Sequence, residues 1–332
     1  MKLLPVVGDD MGSLLINRLT WAVPVVLVIL VFNFLLTRMA PGDPMTAIIG
    51  EYPAPAAYVE QLRISLGLDQ PIWRQLLIYL WNLLQGDLGY SFANRQAVLP
   101  LILNKSVNTL LLMAPGLVMA SIMGIVIGRL SLLLKGKFMD STLTAISLFG
   151  FSVPVFWFGQ ILIIVFAVKL QWLPAQGMLP LRPAGPIFFE FLSHWALPGL
   201  TVTIFYAAIV ARVAKASLKE AVTGDYIVTA LAKGSSKRRV FWRHVLPNGL
   251  IPIVSVIGYN FGLVLTGAIL VESVFAWPGL GNLFMSSIIS RDYPTLQGIF
   301  ILAAVSVVVA NIVTDILYGV IDPRVRHGSY GK

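Results

Sequence analysis

Six long apolar stretches constrain what this chain can fold into, because none of them contains Asp, Glu, Lys or Arg. A helix needs about 20 apolar residues to cross the hydrocarbon core of a membrane, and backbone polar groups in lipid must be satisfied within the structure. The sequence therefore predicts an all-α polytopic membrane protein with six transmembrane helices. They cover residues 19–37, 106–128, 141–168, 191–211, 244–271 and 293–314. The shorter apolar piece 75–86 fits a helix lying at the membrane interface better than a span.

The composition agrees with lipid as the main solvent. Of the 332 residues, 57% are hydrophobic and 12% are charged, whereas a soluble domain has about 25% charged residues. The net charge of +9 does not indicate a nucleic-acid binder, because such proteins carry their basic residues on a solvated domain and this chain has no long hydrophilic one. The lack of cysteine excludes disulfides, thiolate metal sites and cysteine catalysis. Since Asp9 and Asp10 precede the first apolar stretch, no cleaved signal peptide is expected.

The distribution of charge predicts the orientation of the helices. With both termini in the cytoplasm, the inner segments carry 16 Lys and Arg and 6 acids, and the outer segments carry 8 of each. The net charge is then 16 − 6 = +10 inside and zero outside, with Asp315 left within the last span. The positive-inside rule therefore predicts that both termini are cytoplasmic.

The cytoplasmic loop 215–248 has the sequence KASLKEAVTGDYIVTALAKGSSKRRVFWRHVLPN. It is predicted to continue the fourth span, to break at 223–224, and to restart as a short helix that Asp225 caps and Gly234 ends. Such a helix can dock into a groove of another protein, or the basic loop can lie against anionic lipid. Its predicted small-residue surface consists of Thr229, Ala230 and Ala232.

This loop resembles the cytoplasmic loop of binding-protein-dependent ABC importer permeases, whose short coupling helix enters a cleft of the ATPase subunit. Gly234 and Leu246-Pro247 stand at the spacing of the general family pattern, whereas Val228 and His244 stand where that pattern has Glu and Ile. These departures resemble the dipeptide and oligopeptide branch of the family. The residues that match this branch are Asp225, Tyr226, Thr229, Ala230, Ala232, Lys233, Gly234, Arg243, His244 and Asn248. The resemblance implies that all of them except Asn248 take part in ATPase coupling.

Further motifs of the same branch occur in order along nearly the whole chain, from residue 18 to residue 324. They are Pro41-Gly42-Asp43-Pro44, Leu66-Gly67-Leu68-Asp69-Gln70-Pro71, Gly86-Asp87-Leu88-Gly89-Tyr90-Ser91-Phe92, Thr266-Gly267, Val271-Glu272, Phe275, Trp277-Pro278-Gly279-Leu280-Gly281, Arg291-Asp292-Tyr293-Pro294, Asn311, Asp315, Tyr318 and Asp322-Pro323-Arg324.

The resemblance implies a type I ABC importer permease fold in three parts. An N-terminal span with a small external domain covers 1–105, a permease core covers 106–322, and a cytoplasmic tail covers 323–332. The implied partners are a second homologous permease chain in a heterodimer, two ATPase subunits, an extracytoplasmic substrate-binding protein and membrane lipid. The implied location is the bacterial cytoplasmic membrane. ATP and Mg would be bound by the ATPase subunits, so no cofactor is expected on this chain. The solute stays open among dipeptides, oligopeptides, nickel chelates, glutathione and some sugars.

Four residues beyond the fifth span are candidates for an external gate or a contact with the binding protein. An acid at the depth of Glu272 is costly unless it is paired or hydrated. Glu272 therefore either forms a gate or peptide contact, or it fixes the external turn through Arg291 or backbone donors, and the second interpretation is favoured. The four candidates are Glu272, Trp277, Arg291 and Asp292. The aromatic residues predicted to anchor span ends at the interface are Trp157, Trp172, Trp195, Trp277 and Tyr293.

Other function classes fit the sequence less well. No Gly-x-x-x-x-Gly-Lys-[Ser/Thr] motif occurs, so this chain cannot form a P-loop and the energy must come from another polypeptide. A secondary transporter usually shows inverted repeats or intramembrane charges, and a membrane enzyme needs a nucleophile beside a base. Neither pattern is evident. The sequence separation of His194, His244 and His327 also predicts no metal site.

Overall fold

The computed structural model describes residues 9–39, 55–65, 67–133, 141–142, 145, 150, 152–180, 182 and 185–321. Most of these residues are helical, which confirms the predicted all-α class. Since the predicted third span, 141–168, lies partly outside the described residues, the count of six spans stays a prediction. Within the described residues, five helices are long and apolar enough to cross a membrane, namely Thr20–Met39, Val98–Leu133, Ile187–Val222, Lys237–Gly262 and Tyr293–Gly319.

The described elements are helices and one short pair of strands. Two of the helices contain π-helical turns, which cover Ile163–Lys169 and Phe241–Val245. In chain order the elements are α1 (Asp9–Met39), α2 (Ala56–Ser65), α3 (Ile72–Leu84), β1 (Tyr90–Ser91), β2 (Gln96–Ala97), α4 (Val98–Leu133), α5 (Val155–Leu162), α6 (Ile187–Val222), α7 (Asp225–Ala232), α8 (Lys237–Val240), α9 (Leu246–Gly262), α10 (Val264–Gly267), α11 (Ile269–Val274), α12 (Leu280–Ile289) and α13 (Tyr293–Ile321).

Helices α2 and α3 and an antiparallel hairpin lie between the first two long helices. The hairpin pairs Tyr90 with Ala97 and Ser91 with Gln96. This is the segment for which the sequence predicts an external domain. Its location outside the membrane and the boundaries of the three predicted parts stay predictions.

The two longest helices, α4 and α6, pack closely because one face of α4 has almost no side chains. Small residues recur there at every fourth position, which places them on one side of the helix. A Cβ added to Gly124 would lie 2.6 Å from the Cβ of Val210, and one added to Gly128 would lie 2.6 Å from the Cβ of Ala214. Small residues allow membrane helices to approach in this way. We refer to Gly116, Ala120, Gly124 and Gly128 as the glycine seam.

Two apolar clusters are buried on either side of this packing. The first joins α4, α6 and the α10–α12 region around Leu112, Trp195 and Phe275. The second joins α6 and α9 to the loop 215–248 and includes Leu218 and Ile253. The loop is therefore held by the same core that holds the spans.

The predicted fifth span, 244–271, is interrupted. Helix α9 ends at Gly262, and two short helices, α10 and α11, replace its continuation. The apolar composition does not show this break, because the chain is apolar on both sides of the turn at Ala268, and Val271 in α11 is buried as a residue of a continuous span could be.

Two of the five predicted interfacial aromatic residues lie inside the protein instead. Trp195 and Trp277 are buried, and their indole N–H groups donate to the carbonyl oxygens of Leu112 at 3.1 Å and Asn108 at 2.8 Å. Trp157 and Trp172 are exposed. A buried tryptophan needs an acceptor for its N–H, and carbonyls of α4 supply it in both cases.

The glycine seam generates a first prediction. We expect Gly124→Leu to lower the thermal unfolding temperature of the purified protein, because even a Cβ at this position overlaps Val210. Overpacking of this kind costs about 1–3 kcal/mol or more. Val118→Leu on the exposed side of α4 adds one carbon without meeting a neighbour and is the matched control. Equal unfolding temperatures for the two variants would contradict the close packing of α4 and α6.

Candidate coupling loop and outer carboxylate sites

Helix α7 lies in the loop 215–248, which the sequence predicts to be cytoplasmic and to contain a short helix. As predicted, α6 runs on to Val222 and the chain breaks at Thr223. The residue that precedes α7 is Gly224, with extended backbone angles, and it has no side chain to cap the helix. Asp225 is thus the first helical residue and not the predicted N-cap. Its carboxylate still favours the helix, because it lies at the positive end of the helix dipole.

The end of α7 confirms the prediction for Gly234. Its φ is +78°, in the left-handed region, and two backbone bonds close the turn. The N–H of Gly234 donates to Leu231 O at 2.9 Å, and the N–H of Ser235 donates to Ala230 O at 3.2 Å. This pair of bonds is a Schellman motif. An added Cβ would meet nothing within 4 Å, so glycine is favoured here by the backbone angle alone. Another residue would be destabilised in this left-handed conformation by about 1–2 kcal/mol.

One face of α7 is buried, and the other is exposed and includes large apolar side chains. Ile227 and Ala230 point into the second core cluster, whereas Val228 is 68% exposed and Leu231 is 43% exposed. Ala230 therefore does not belong to the outward surface, which corrects the predicted small-residue surface. The reason is the helical period, since Ala230 lies three residues after Ile227 and shares its face.

The other predicted coupling residues lie near this outward face or on the following segment. Among them, His244 is partly buried, and its carbonyl accepts a bond of 2.6 Å from the Asn248 amide. The exposed members are Asp225, Tyr226, Thr229, Ala232, Lys233, Gly234 and Arg243.

Tyr226 stabilises the chain where it leaves α6 and enters α7. Its hydroxyl donates to the carbonyl of Ala221 at 2.7 Å, and its ring lies against Gly224, where any Cβ would overlap it. Burial and, to a smaller extent, the nearby Glu220 raise the pKa of Tyr226 above its usual value. The hydroxyl therefore stays protonated and keeps donating.

Arg129 near the C-terminal end of α4 contacts the same loop, and the sequence alone did not single it out. Its guanidinium carbon lies 4.8 Å from the ring centre of Phe241 and 5.0 Å from that of Trp242. The positive charge lies over two aromatic rings, a favourable arrangement. The contact could not be predicted from the sequence, because Phe241 and Trp242 lie more than a hundred residues after Arg129 and no motif links them.

On the far side of the bundle, Glu272 is completely buried in α11. Its Oε1 accepts from the Thr109 hydroxyl at 2.6 Å, and its Oε2 accepts from the N–H groups of Gly281 at 2.7 Å and Asn282 at 3.1 Å. These N–H groups belong to the first turn of α12, so the carboxylate caps that helix. The interpretation that Glu272 fixes the turn through backbone donors accounts for this geometry.

The Trp-Pro-Gly-Leu-Gly motif that follows Glu272 has a steric explanation. A Cβ on Gly279 would overlap the Glu272 carboxylate, and one on Gly281 would lie 2.5 Å from the Ile269 Cα. The Asn108 side chain donates to Pro278 O at 2.9 Å. The motif therefore provides the space and the hydrogen bonds that a buried carboxylate needs.

Asp292 is also buried and joins the hairpin to the start of α13. Its Oδ2 accepts from the hydroxyls of Ser91 at 2.5 Å and Thr295 at 2.7 Å, and its Oδ1 accepts from the Thr295 N–H at 3.4 Å. The last bond caps α13, and the first ties the hairpin to that helix. Arg291 beside it is exposed, with φ +55°.

The predicted gate or binding-protein contact stays a prediction for all four outer residues. In this structure Glu272, Trp277 and Asp292 are buried with partners from the same chain, and Arg291 faces outward. The sequence did not single out Asn108 and Thr109, which join Glu272 and Trp277 to α4. Their only signal is their polarity within a predicted span. Among the described residues, no group of three His, Asp or Glu side chains lies close enough to hold a metal ion.

Comparison with known proteins identifies the class to which this fold and these sites belong. The family described as the binding-protein-dependent transport system inner membrane component matches residues 116–327, and the N-terminal part of such components matches residues 11–113. The chain belongs to this family. It is therefore a permease subunit of a bacterial binding-protein-dependent ABC importer.

Individual relatives extend over almost the whole chain. The dipeptide transport system permease protein DppB of Escherichia coli strain K12 is 34% identical over 96% of this chain and 99% of the relative. The di/tripeptide transport system permease protein DppB of Pseudomonas aeruginosa is 36% identical, again over 96% and 99%. The glutathione transport system permease protein GsiC of Escherichia coli O6:H1 is 38% identical over 96% and 100%.

A solved structure shares the fold. The MetNI methionine ABC transporter, in an inward-facing conformation, has a chain that aligns with a TM-score of 0.53 at 18% identity. The alignment covers 67% of this chain and 96% of that chain. This confirms the ABC importer permease fold.

A second prediction concerns the Glu272 site. We expect Glu272→Ala to reduce stability by about 2–5 kcal/mol, because it leaves the N–H groups of Gly281 and Asn282 buried without an acceptor. Glu272→Gln keeps one acceptor oxygen and should cost less. Thermal unfolding in detergent measures both, with the exposed Glu60→Ala as the control. The capping role fails if Glu272→Ala unfolds at the same temperature as Glu60→Ala.

Proposed function

We propose that this chain forms half of the translocation path of an ATP-driven importer for peptides or peptide-like solutes. Separate ATPase subunits would bind ATP and Mg and act on this chain through α7. The observation that carries the proposal is the outward face of α7, which exposes Val228 and Leu231 on a helix fixed at both ends.

An exposed apolar face on a short, well-anchored helix is suited to a protein groove. The exposed apolar surface of α7 comes from Val228, Leu231 and Tyr226. Exposed apolar patches of this kind commonly mark interaction sites. Gly224 and Gly234 set the ends of the helix, and Ile227 ties it to the core. Because α7 cannot shift without moving this core, a force on its outer face would reach α6 and α9. Lys237 and its basic neighbours can meet anionic lipid beside the docked partner.

The third prediction tests this docking surface. We expect Val228→Asp to insert into the membrane normally but to bind the ATPase subunits at least tenfold more weakly, because a charge would be buried without a partner. A loss of about 1.4 kcal/mol is sufficient for a tenfold effect. Co-purification and ATP-dependent uptake measure the change. Val228 is the better position than Ala230, where Asp would also disrupt the core of the chain itself.

The control for that experiment is Ile64→Asp, which introduces the same charge at an exposed apolar position on α2. It should leave ATPase binding unchanged. If Val228→Asp binds ATPase subunits as tightly as the control does, α7 is not the docking helix.

The solute class rests on the relatives. Their names describe transport of dipeptides, of di- and tripeptides, and of glutathione. All three solutes are peptides or peptide-like, and we propose the same class for this chain. The choice among them would be made largely by the substrate-binding protein, so isolating that protein and identifying what it retains is the direct experiment.

The proposed assembly has four membrane-associated subunits. This chain would pair with a different, homologous permease chain, and two ATPase subunits would attach from the cytoplasm. A binding protein would dock on the opposite side. Both termini of this chain would be cytoplasmic, as the charge distribution indicates.

The fourth prediction is the stoichiometry of this assembly. Native mass spectrometry of the complex purified in mild detergent should show one copy of this chain, one copy of a second permease and two ATPase copies. The reason is that this chain has no P-loop and α7 has no partner groove within the described structure. A monodisperse complex of this chain alone that transports solute without ATPase subunits would overturn the proposal and favour a secondary transporter.

A further inference from the structure

Helix α3 has an apolar face that the rest of the described structure leaves uncovered. None of its 13 residues is buried. Its large apolar side chains recur at intervals of three and four residues, which places them in one stripe along the helix. Trp73 is 64% exposed and Trp81 is 63% exposed. We refer to Trp73, Leu77, Trp81 and Leu84 as the α3 stripe.

The opposite side of α3 faces the protein. The ring centre of Tyr79 lies 5.4 Å from that of Phe34 on α1, and the Gln75 side chain donates to the carbonyl of Gln70 at 2.7 Å. Burial of the Tyr79 hydroxyl raises its pKa to about 12. The helix therefore has a defined orientation, with Tyr79 inward and the stripe outward.

The position of α3 along the bundle follows from its contact with α1. Phe34 lies in the last turns of a candidate span, Thr20–Met39. The guanidinium of Arg38 lies 5.4 Å from the Phe34 ring centre, and basic side chains commonly mark the ends of spans at the headgroup level. Leu36 and Met39 of α1 are exposed at the same level. The α3 stripe thus continues the apolar surface at the end of a span.

We infer that α3 lies in the membrane interface, with the α3 stripe inserted among lipid headgroups and the upper acyl chains. Two tryptophans in one stripe suit this location, because indole rings partition to the headgroup level. The helix contains no acid, and its one charge, Arg74, can pair with lipid phosphate. A protein partner on this face would have to occupy the space beside α1 where the headgroups lie.

This anchoring would have a structural consequence for the outer site. The chain runs from α3 directly into the hairpin, and Ser91 of the hairpin bonds to Asp292. A helix fixed at the membrane surface therefore limits how far the hairpin can move away from the start of α13. The inference does not depend on the solute or on the ATPase contact.

The lack of native cysteine allows a direct test with single-cysteine variants of the full-length chain. Leu77→Cys and Trp81→Cys place a spin label on the α3 stripe, and Glu60→Cys and Gln61→Cys are exposed polar controls on α2. The protein, with the subunits that co-purify with it, is placed in nanodiscs of phosphatidylethanolamine and phosphatidylglycerol. Accessibility to oxygen and to a water-soluble nickel chelate is then measured by power saturation. We expect the ratio of oxygen to nickel accessibility to be severalfold higher on the stripe than at the controls.

Two results would overturn the inference. Nickel accessibility at 77 and 81 equal to that of the controls would place the stripe in water. Low accessibility to both reagents would show that a protein covers it. If either variant unfolds, Leu84→Cys provides a third stripe position, which is 82% exposed. Quenching of a bimane label at residue 84 by doxyl lipids then separates lipid contact from protein contact.

Discussion

The close approach of α4 and α6 along the glycine seam determines where both candidate sites lie. The outer end of α4 carries Asn108 and Thr109, which bind Trp277, Pro278 and Glu272. The opposite end of α4 carries Arg129, which contacts Phe241 and Trp242. Because lipid tails are as apolar as the helices, the hydrophobic effect does little to associate them, and close packing has to hold them together. The seam therefore supports one site at each end of a single helix pair.

Polar groups are arranged differently at the two ends of the α4–α6 pair. At the outer end, Glu272 and Asp292 are buried, and each accepts several hydrogen bonds from helix starts and hydroxyls. An unpaired charge there would be costly, and the partners of the two acids lie on different segments. Glu272 therefore links α11 to α4 and α12, and Asp292 links the hairpin to α13. At the inner end the charges remain exposed around α7, and it is apolar surface that lacks a partner. The buried acids at the outer end thus have partners within the chain, whereas at the opposite end apolar side chains of α7 stay exposed.

The family motifs acquire physical explanations from these contacts. Gly279 and Gly281 leave space around a carboxylate and a helix crossing, and Gly234 supplies a left-handed backbone. Val228, which departs from the general family pattern, lies on the outward face of α7. The departure falls on the surface that would contact the proposed partner, while Ile227 and Ala230 on the inward face belong to the buried apolar cluster that includes residues of α6 and α9.

The sequence by itself determined the helical class, most of the spans, the break before α7 and the left-handed end at Gly234. These features follow from local rules, since apolar length, helical period and glycine backbone freedom act within a few residues. Only the tertiary structure decided that α9 stops at Gly262, that Trp195 and Trp277 are buried, and that Ala230 faces inward. It also decided the pairing of Thr109 with Glu272 and of Ser91 with Asp292. Those partners are 163 and 201 residues apart, and packing between distant helices brings them together.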